Sequence, residues 1–573
     1  MQQMNSLKDM IQSKNYWESV RDNPQFAEVI EKIKRTYEEK KKTAYDSLRY
    51  SHRMLFKKDG SRQDFEGPYF GRRQFASAAA LLCMLYPENE EYLPELQDIL
   101  WAICEEYSWV VPAHCERITN VDTQIDLFAA ETASMISEVC FFLEDRLEDT
   151  LKDRVRSELD RRIFRSFVEN TFYWEHHQDN WLAVCGGNVA IAMAWQNPEL
   201  LEAQSERITG IIARYLQYIP NDGTCTEGFG YWHYGFGNYI WAADVLYERT
   251  NGKIDLFRDP KIKALAGYAQ RSFLSGGATV SISDGSDGGS ADAAIVGFLH
   301  RKYPDYVRNL PPSKMHLCGG NVSWIAYTRA FLYADLDPNA TLPQEDYDLP
   351  DAGQVIINRE NYSLFAKAGH NGEAHNHNDV GSFILANKNG QALCDLGAPR
   401  YVKDYFLAPR YEYFNASSRG HSVPIINGQY QLGGAKYCGT ISHTGNTIEV
   451  EFSKAYGIEG LDRLTRTFVY DDNTVIMTDS FDAELDSYTE RFITKKTPTV
   501  YDDYVDIDGV KISFDPKLVT PKLSFDKHES HSIPKNTEGK EINADGFELV
   551  RVNIIDFELK RGEKSVTFKF TLE

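Results

Sequence analysis

Two hydrophobic patterns divide the chain. Over the first 330 or so residues apolar positions recur at helical spacing, as in F-A-S-A-A-A-L-L-C-M-L-Y from Phe75. This pattern predicts helices from Gln74 to the break at Pro87, then over 93–107, 125–147, 151–168, 182–195 and 200–219. Residues 1–45 read as charged helix with a basic end, a solvated face. Paired helices without intervening strands point to a bundle, a solenoid or a closed α/α toroid. No fixed-period repeat is visible, which disfavours a regular solenoid. Beyond residue 353 the period becomes two, in segments such as 447–452, 466–470 and 565–570. Asn389-Gly390 and Asp471-Asp472-Asn473 mark hairpin turns. This half reads as an all-β sandwich. The expected layout is a helical domain over 1–334, a Pro- and Asp-rich linker over 335–353 and a β-sandwich over 354–573.

The 573 residues are too many for one ordinary core, which agrees with that division. The net charge of −22 argues against a general nucleic-acid or anionic-membrane surface, so neither partner is expected. A polyanionic ligand would need a local basic patch, for which Arg72 and Arg73 are candidates. Aromatic residues reach 13%, with 33 Tyr and 9 Trp, enough to supply stacking platforms for sugars as well as a core. The nine cysteines are scattered without a C-x-x-C pair and read as reduced, buried thiols. The start of the chain lacks the apolar core of a signal peptide, and no run is long enough to span a bilayer. The expectation is a cytoplasmic protein, or a secreted or periplasmic one whose export signal has been removed.

The densest chemistry lies in E-A-H-N-H-N-D-V-G-S-F-I-L-A-N-K-N-G-Q-A-L-C-D, residues 373–395. A strand over Val380–Ala386 and a second over Gln391–Leu396 form a hairpin, the second carrying Asp395. If the first strand already runs through His375 and His377, both imidazoles share a face. His421 follows in R-G-H-S-V-P. Two imidazoles and a carboxylate from separate strands make a zinc site plausible. With His377 as the ligand, His375 would be left for acid–base work. The H-N-H string also occurs in a class of nucleases, against which the acidic balance argues.

H-N-H-N-D-V-G-S-F, C-D-L-G-A-P-R-Y and R-G-H-S-V-P-I-I-N-G, in that order, resemble the heparinase II/III-like polysaccharide lyases. The resemblance extends upstream to Asn180-Trp181 and E-G-F-G-Y-W-H-Y-G, and so over most of the chain. It implies an N-terminal α/α toroid and a C-terminal antiparallel β-sandwich. It also implies β-elimination on an acidic polysaccharide or oligosaccharide containing uronic acid, plausibly a glycosaminoglycan. Zinc held by His377, Asp395 and His421 would be mainly structural. Asn180 would neutralise the substrate carboxylate, although Asn is also a good helix N-cap. His176 and His177 precede it, with His177 preferred for a catalytic role. Tyr231 would transfer protons, with Tyr234 as the alternative register, and His375 would be the base or shuttle. Arg73, Trp181, Glu227 and Trp232 are the substrate-binding candidates. Two other readings stay open. One is a toroid glycoside hydrolase pairing Asp222 or Glu227 with Asp126 or Glu131. The other is a non-catalytic carbohydrate-binding protein.

Overall fold

Helix α1 (Gln63–Leu85) begins well before the apolar run that announces it and carries Pro68 in its second turn. It is followed by α2 (Leu127–Phe142), α3 (Trp181–Gln196), α4 (Gly237–Arg249), α5 (Ala293–Lys302) and α6 (Trp324–Tyr333). Almost every residue of α2 and α3 is buried, so these helices are covered all round rather than on one stripe. The computed structural model describes residues 6–572 apart from 116–120, 309–312, 316–323, 335–343 and 535.

Helices α1, α2, α3, α4 and α6 form an inner ring. α2 packs on α3 and α3 on α4. Trp241 of α4 stacks on Tyr333 of α6 at 5.7 Å, and the Tyr333 hydroxyl donates to Asp244 at 2.7 Å. α6 returns to α1. Glu138 of α2 is a buried cross-tie: it accepts from Arg329 and Trp324 of α6 and from Trp195 of α3. Further helices such as Ala27–Lys41, Tyr92–Cys104 and Ser205–Tyr215 back the ring from outside.

The sandwich contains three antiparallel sheets. Strands β1 (Tyr347–Leu349), β2 (Gln354–Asn358), β3 (Tyr362–Lys367), β4 (Gly369–Asn371), β5 (Phe383–Asn387) and β6 (Gly390–Leu393) come first. They are followed by β7 (Ile425–Ile426), β8 (Gly434–Thr444), β9 (Thr447–Glu451), β10 (Leu464–Tyr470), β11 (Thr474–Phe481) and β12 (Tyr488–Thr494). The last are β13 (Thr499–Val500), β14 (Tyr504–Ile507), β15 (Val510–Ser513), β16 (Val519–Glu529), β17 (Leu549–Leu559) and β18 (Ser565–Leu572). The sheet orders are β13-β14-β15-β18-β11-β10-β9-β8-β4, β16-β17-β12-β7 and β1-β2-β3-β5-β6. Their inner faces share one core around Phe383, Phe468, Phe492, Phe557, Phe568 and Phe570.

The sequence divides the chain once, near 335–353, and the structure divides it differently. Residues 1–218, 233–262 and 290–340 make one compact unit; 219–232, 263–289 and 341–573 make the other. The physical reason lies in β2, β3 and β5, which are buried on both faces. One face joins the phenylalanine core. The other, with Ile356, Phe365, Ile384 and Ala386, is covered by Leu274, Ala278, Val280 and Ile282. The 263–289 segment is thus a cover of the sandwich, although it lies between helices in sequence. Part of the expected linker is strand β1; its residues 335–343 lie outside the described ones.

The described cysteines are all free thiols, six of them buried; Cys318 lies outside the described residues. Among the described residues no helix is long and apolar enough to cross a membrane.

Candidate active site and metal centre

The hairpin is shorter than its sequence suggests. β5 begins at Phe383 and β6 ends at Leu393, so neither the histidine pair nor Asp395 lies on a strand. His375 instead takes a left-handed backbone, φ 55°. Such a conformation is uncommon for a residue with a side chain and persists only where its surroundings hold it. The two imidazoles still converge, but on a carboxylate that the sequence reading missed.

That carboxylate is Asp284, fully buried in its side chain. It accepts from His375 Nδ1 at 2.7 Å, Tyr401 Oη at 2.9 Å and Tyr405 Oη at 2.5 Å. Arg410 reaches both of its oxygens at 3.3 Å, and His377 Nε2 lies 3.2 Å from Oδ1. Burial alone would raise its pKa, but the two imidazoles and the guanidinium outweigh burial and hold it well below the usual carboxylate range. The preceding Ser283 also has positive φ, 55°. The available signal was A-T-V-S-I-S-D-G, a period-two run ending in a turn dipeptide inside the helical half. Gly397, in the C-D-L-G-A-P-R-Y motif, has φ 67°, and a Cβ there would lie 2.1 Å from the Gly285 carbonyl. A glycine is therefore required for the 395–401 loop to seat against the turn after Asp284.

Tyr231 joins this cluster. Its ring stacks on His375 with centroids 4.1 Å apart, and its hydroxyl is 2.7 Å from that of Tyr401. A chain of hydroxyls thus runs from Tyr231 through Tyr401 to Asp284. Burial, with the charge of Asp284, pushes the Tyr231 phenol well above its ordinary pKa, so the resting group is a proton donor. His375 Nε2 stands 3.6 Å from Glu227 Oε2. Burial lowers the imidazole's pKa, but Asp284 and Glu227 overcome it and the net shift is upward.

His377, Asp395 and His421 offer ligand atoms within 4.8 Å of one another, all buried. His377 Nδ1 has no hydrogen-bond partner in the protein, and His421 Nδ1 lies 3.1 Å from Asp395 Oδ2. The opposite nitrogens are engaged: His377 Nε2 faces Asp284, and His421 Nε2 lies 2.7 Å from the Asn415 carbonyl oxygen. Asp395 Oδ1 accepts from the Gly397 N–H at 3.0 Å. Imidazoles anchored on one nitrogen, with the other nitrogens gathered beside a carboxylate, are the usual arrangement around a metal, so this donor set fits a zinc ion.

The remaining candidates lie in the helical unit or in the core. Asn180 is buried at the start of α3, but its side chain makes no capping bond; Asp179 caps instead, accepting from the Trp181 N–H at 2.9 Å. Gly235, next to Tyr234, abuts Asn180: a Cβ there would come 3.0 Å from that of Asn180. His177 is half-exposed, 3.2 Å from Asp179, and groups with Tyr173 and Trp181 in an aromatic cluster. Tyr234 belongs to a cavity inside the helical ring and not to the His375 cluster.

Two of the substrate-binding expectations are overturned. Arg73 is fully buried, paired with Glu106 at 2.7 Å, and Arg72 joins the same carboxylate. Both are structural ion pairs. Trp232 is fully buried and donates to the Leu265 carbonyl at 2.9 Å, so it is a core residue. Of the carboxylates considered for a hydrolase, Asp126 accepts from the N–H groups of Val111 and Ala129 and contacts His114 at 2.8 Å. Asp222 accepts from the N–H groups of Thr224 and Ala352. These two hold backbone in place.

Residues 341–538 match the family model described as heparinase II/III-like, C-terminal. The match takes in most of the sandwich half and stops short of the helical half. A heparinase III structure, the BT4657 gene product with methylated lysines, is similar at TM-score 0.63 and 13% identity, covering 99% of this chain and 89% of that one. Heparan sulfate lyase HepC from Pedobacter heparinus gives TM-score 0.56 and 12% identity over 98% of this chain and 92% of that one. Streptomyces coelicolor A3 chondroitin AC lyase, in complex with chondroitin sulphate, gives 0.54 and 10% over 98% and 82%. A search of curated proteins finds no match. At these identities the likeness establishes the architecture: an α/α toroid followed by an antiparallel β-sandwich.

Proposed function

We propose that this protein is a polysaccharide lyase that cleaves uronate-containing glycans, with glycosaminoglycans the favoured class, by β-elimination. The observation that carries this reading is the stacking of Tyr231 on His375, both connected to the buried Asp284. Elimination needs a base for the C5 proton, an acid for the leaving oxygen and a donor that neutralises the uronate carboxylate. His375 is held by Asp284 through Nδ1, which orients Nε2 as the proton acceptor. Tyr231 carries the proton for the departing C4 oxygen. As the C5–H electron pair forms the C4–C5 double bond, the C4–O bond breaks and the phenolic proton passes to that oxygen. Asn180 is assigned to the carboxylate, since an amide N–H stabilises the developing charge without adding a like charge. The solved relatives named as lyases of heparan sulfate or chondroitin support this substrate class.

Zinc is part of the proposal. His377, Asp395 and His421 would hold it, and its contribution would be to tie together the three loops that carry these residues. The protein's own groups then perform the proton transfers.

The hydrolase reading is disfavoured because Asp126 and Asp222 already serve as backbone acceptors. The deciding experiment is digestion of heparan sulfate, chondroitin, hyaluronan, heparin, alginate and pectin followed by ultraviolet absorbance. A lyase yields a conjugated unsaturated uronate; a hydrolase yields only reducing ends. A hydrolytic product would overturn the proposal.

A further inference from the structure

The inner helical ring is not filled. A cavity of about 200 Å³ lies among α2, α3, α4, α5 and α6, lined on its polar side by Glu131, Ser134, Asn188, His233 and Tyr234. Trp241, Ile295 and Ile325 supply apolar walls. Seven residues beyond Glu131 on α2, about 10 Å at the helical rise, Glu138 bridges α3 and α6 and closes the ring.

Two polar atoms in this cavity lack a well-formed hydrogen bond to the protein. Glu131 Oε2 and the Tyr234 hydroxyl face one another, yet neither completes a hydrogen bond of good geometry. The Glu131 residue is 8% exposed. The other polar walls are engaged: Asn188 donates to Asn238 at 2.7 Å and accepts from Ser134 at 2.6 Å, and His233 Nε2 accepts from the Asp292 N–H. Buried polar atoms left open are costly, on the order of 1–3 kcal/mol each, unless a ligand or water completes them.

We propose that this cavity is a single-sugar subsite, in which Glu131 and Tyr234 hydrogen-bond the hydroxyls of one terminal ring of a bound glycan. The proposal rests on the lyase reading for its choice of ligand class. A pyranose is amphipathic, with hydroxyls at its edge and C–H groups on its faces, and the cavity offers two open polar atoms beside Trp241 and isoleucine walls. The volume lies below the roughly 300 Å³ at which drug-sized pockets begin, which suits one ring and excludes a longer segment. Burial, opposed by Tyr234, pushes the Glu131 carboxyl up to about 8. At neutral pH it is then a neutral acid that can both donate to and accept from a sugar hydroxyl, and it does not repel an anionic glycan.

The test is binding of free glucuronic acid, N-acetylglucosamine and glucose to the full chain, by saturation-transfer NMR and calorimetry. At least one should bind wild-type protein. Tyr234→Phe and Glu131→Leu should each weaken it about tenfold or more, the scale of one lost buried hydrogen bond. Tyr234→Phe removes only the hydroxyl that faces Glu131 and keeps the ring, so it keeps the test valid should Glu131→Leu fail to fold. Failure of all three sugars to bind, or unchanged binding in a folded Tyr234→Phe protein, overturns the subsite. This readout needs no elimination. An active lyase with unchanged sugar binding in Tyr234→Phe sinks the subsite alone. Sugar binding lost in these variants of a chain that eliminates no polymer keeps the subsite and sinks the lyase reading.

Discussion

The Tyr231 ring lies on the imidazole of His375, with centroids 4.1 Å apart and planes 28° from parallel. Tyr231 comes from a segment between toroid helices and His375 from a loop before β5, yet both belong to the sandwich unit. Tyr231→Phe keeps the stacked ring and removes the proton. Turnover should fall by about 10²–10⁴-fold while glycan binding persists, measured by initial rates and by calorimetry on the same preparation. Full activity in the variant would exclude Tyr231 from proton transfer.

Asp284 holds His375, Tyr401, Tyr405 and Arg410 at once. Asp284→Asn keeps the shape but removes the charge that matches Arg410 and His375. Removing one partner of a buried ion pair typically costs about 3–5 kcal/mol. The variant should melt well below wild type and lose at least about 100-fold in kcat. An unchanged melting temperature would show that the network is not what orders the site.

The zinc proposal gives a separate expectation. Metal analysis of protein purified without chelator should find about one zinc per chain, the stoichiometry of a single three-residue site. His377→Ala should abolish it, and chelation should lower the melting temperature. Metal content unaffected by His377→Ala would contradict the ligand set.

Much of this was legible in the sequence, and the exceptions have physical causes. The helical and period-two patterns marked both halves, because each helix or strand buries apolar side chains at its own spacing. The motif residues His375, His377, Asp395 and His421 do come together. Asp284 was invisible as a site residue because its segment is strand-like cover for β2, β3 and β5, and only tertiary packing brings it to His375. Arg73 and Trp232 looked like binding residues from composition and motif. In the fold an arginine in an apolar helix is there to neutralise the buried Glu106, and an indole in an aromatic motif is there to pack.

Arg73 provides a control. Arg73→Met leaves Glu106 with only Arg72 and should destabilise by several kcal/mol, about 3–5. Because the residue is fully buried, the folded fraction should retain the wild-type KM. A raised KM at full occupancy of the fold would restore Arg73 as a substrate contact.

Glu131 links stability to pH. Its folded pKa, pushed up to about 8 from 4.5, means that the folded state holds a proton the unfolded state releases. Stability from this group is present below the unfolded value and falls as pH rises through that window, by about 1.4 kcal/mol for each unit separating the two pKa values as an upper bound. Asp126 adds to the upward shift and Tyr234 opposes it. Glu131→Gln mimics the protonated form. Its melting temperature relative to wild type should rise between about pH 5 and pH 8 and level off above. A difference independent of pH would mean that Glu131 is charged in the folded protein.

The most direct test of the central claim is the ultraviolet spectrum of the products formed from heparan sulfate and chondroitin by the wild-type chain. The account predicts growing absorbance from an unsaturated uronate end, one chromophore per bond cleaved, and its loss in Tyr231→Phe. New reducing ends without that chromophore would contradict it.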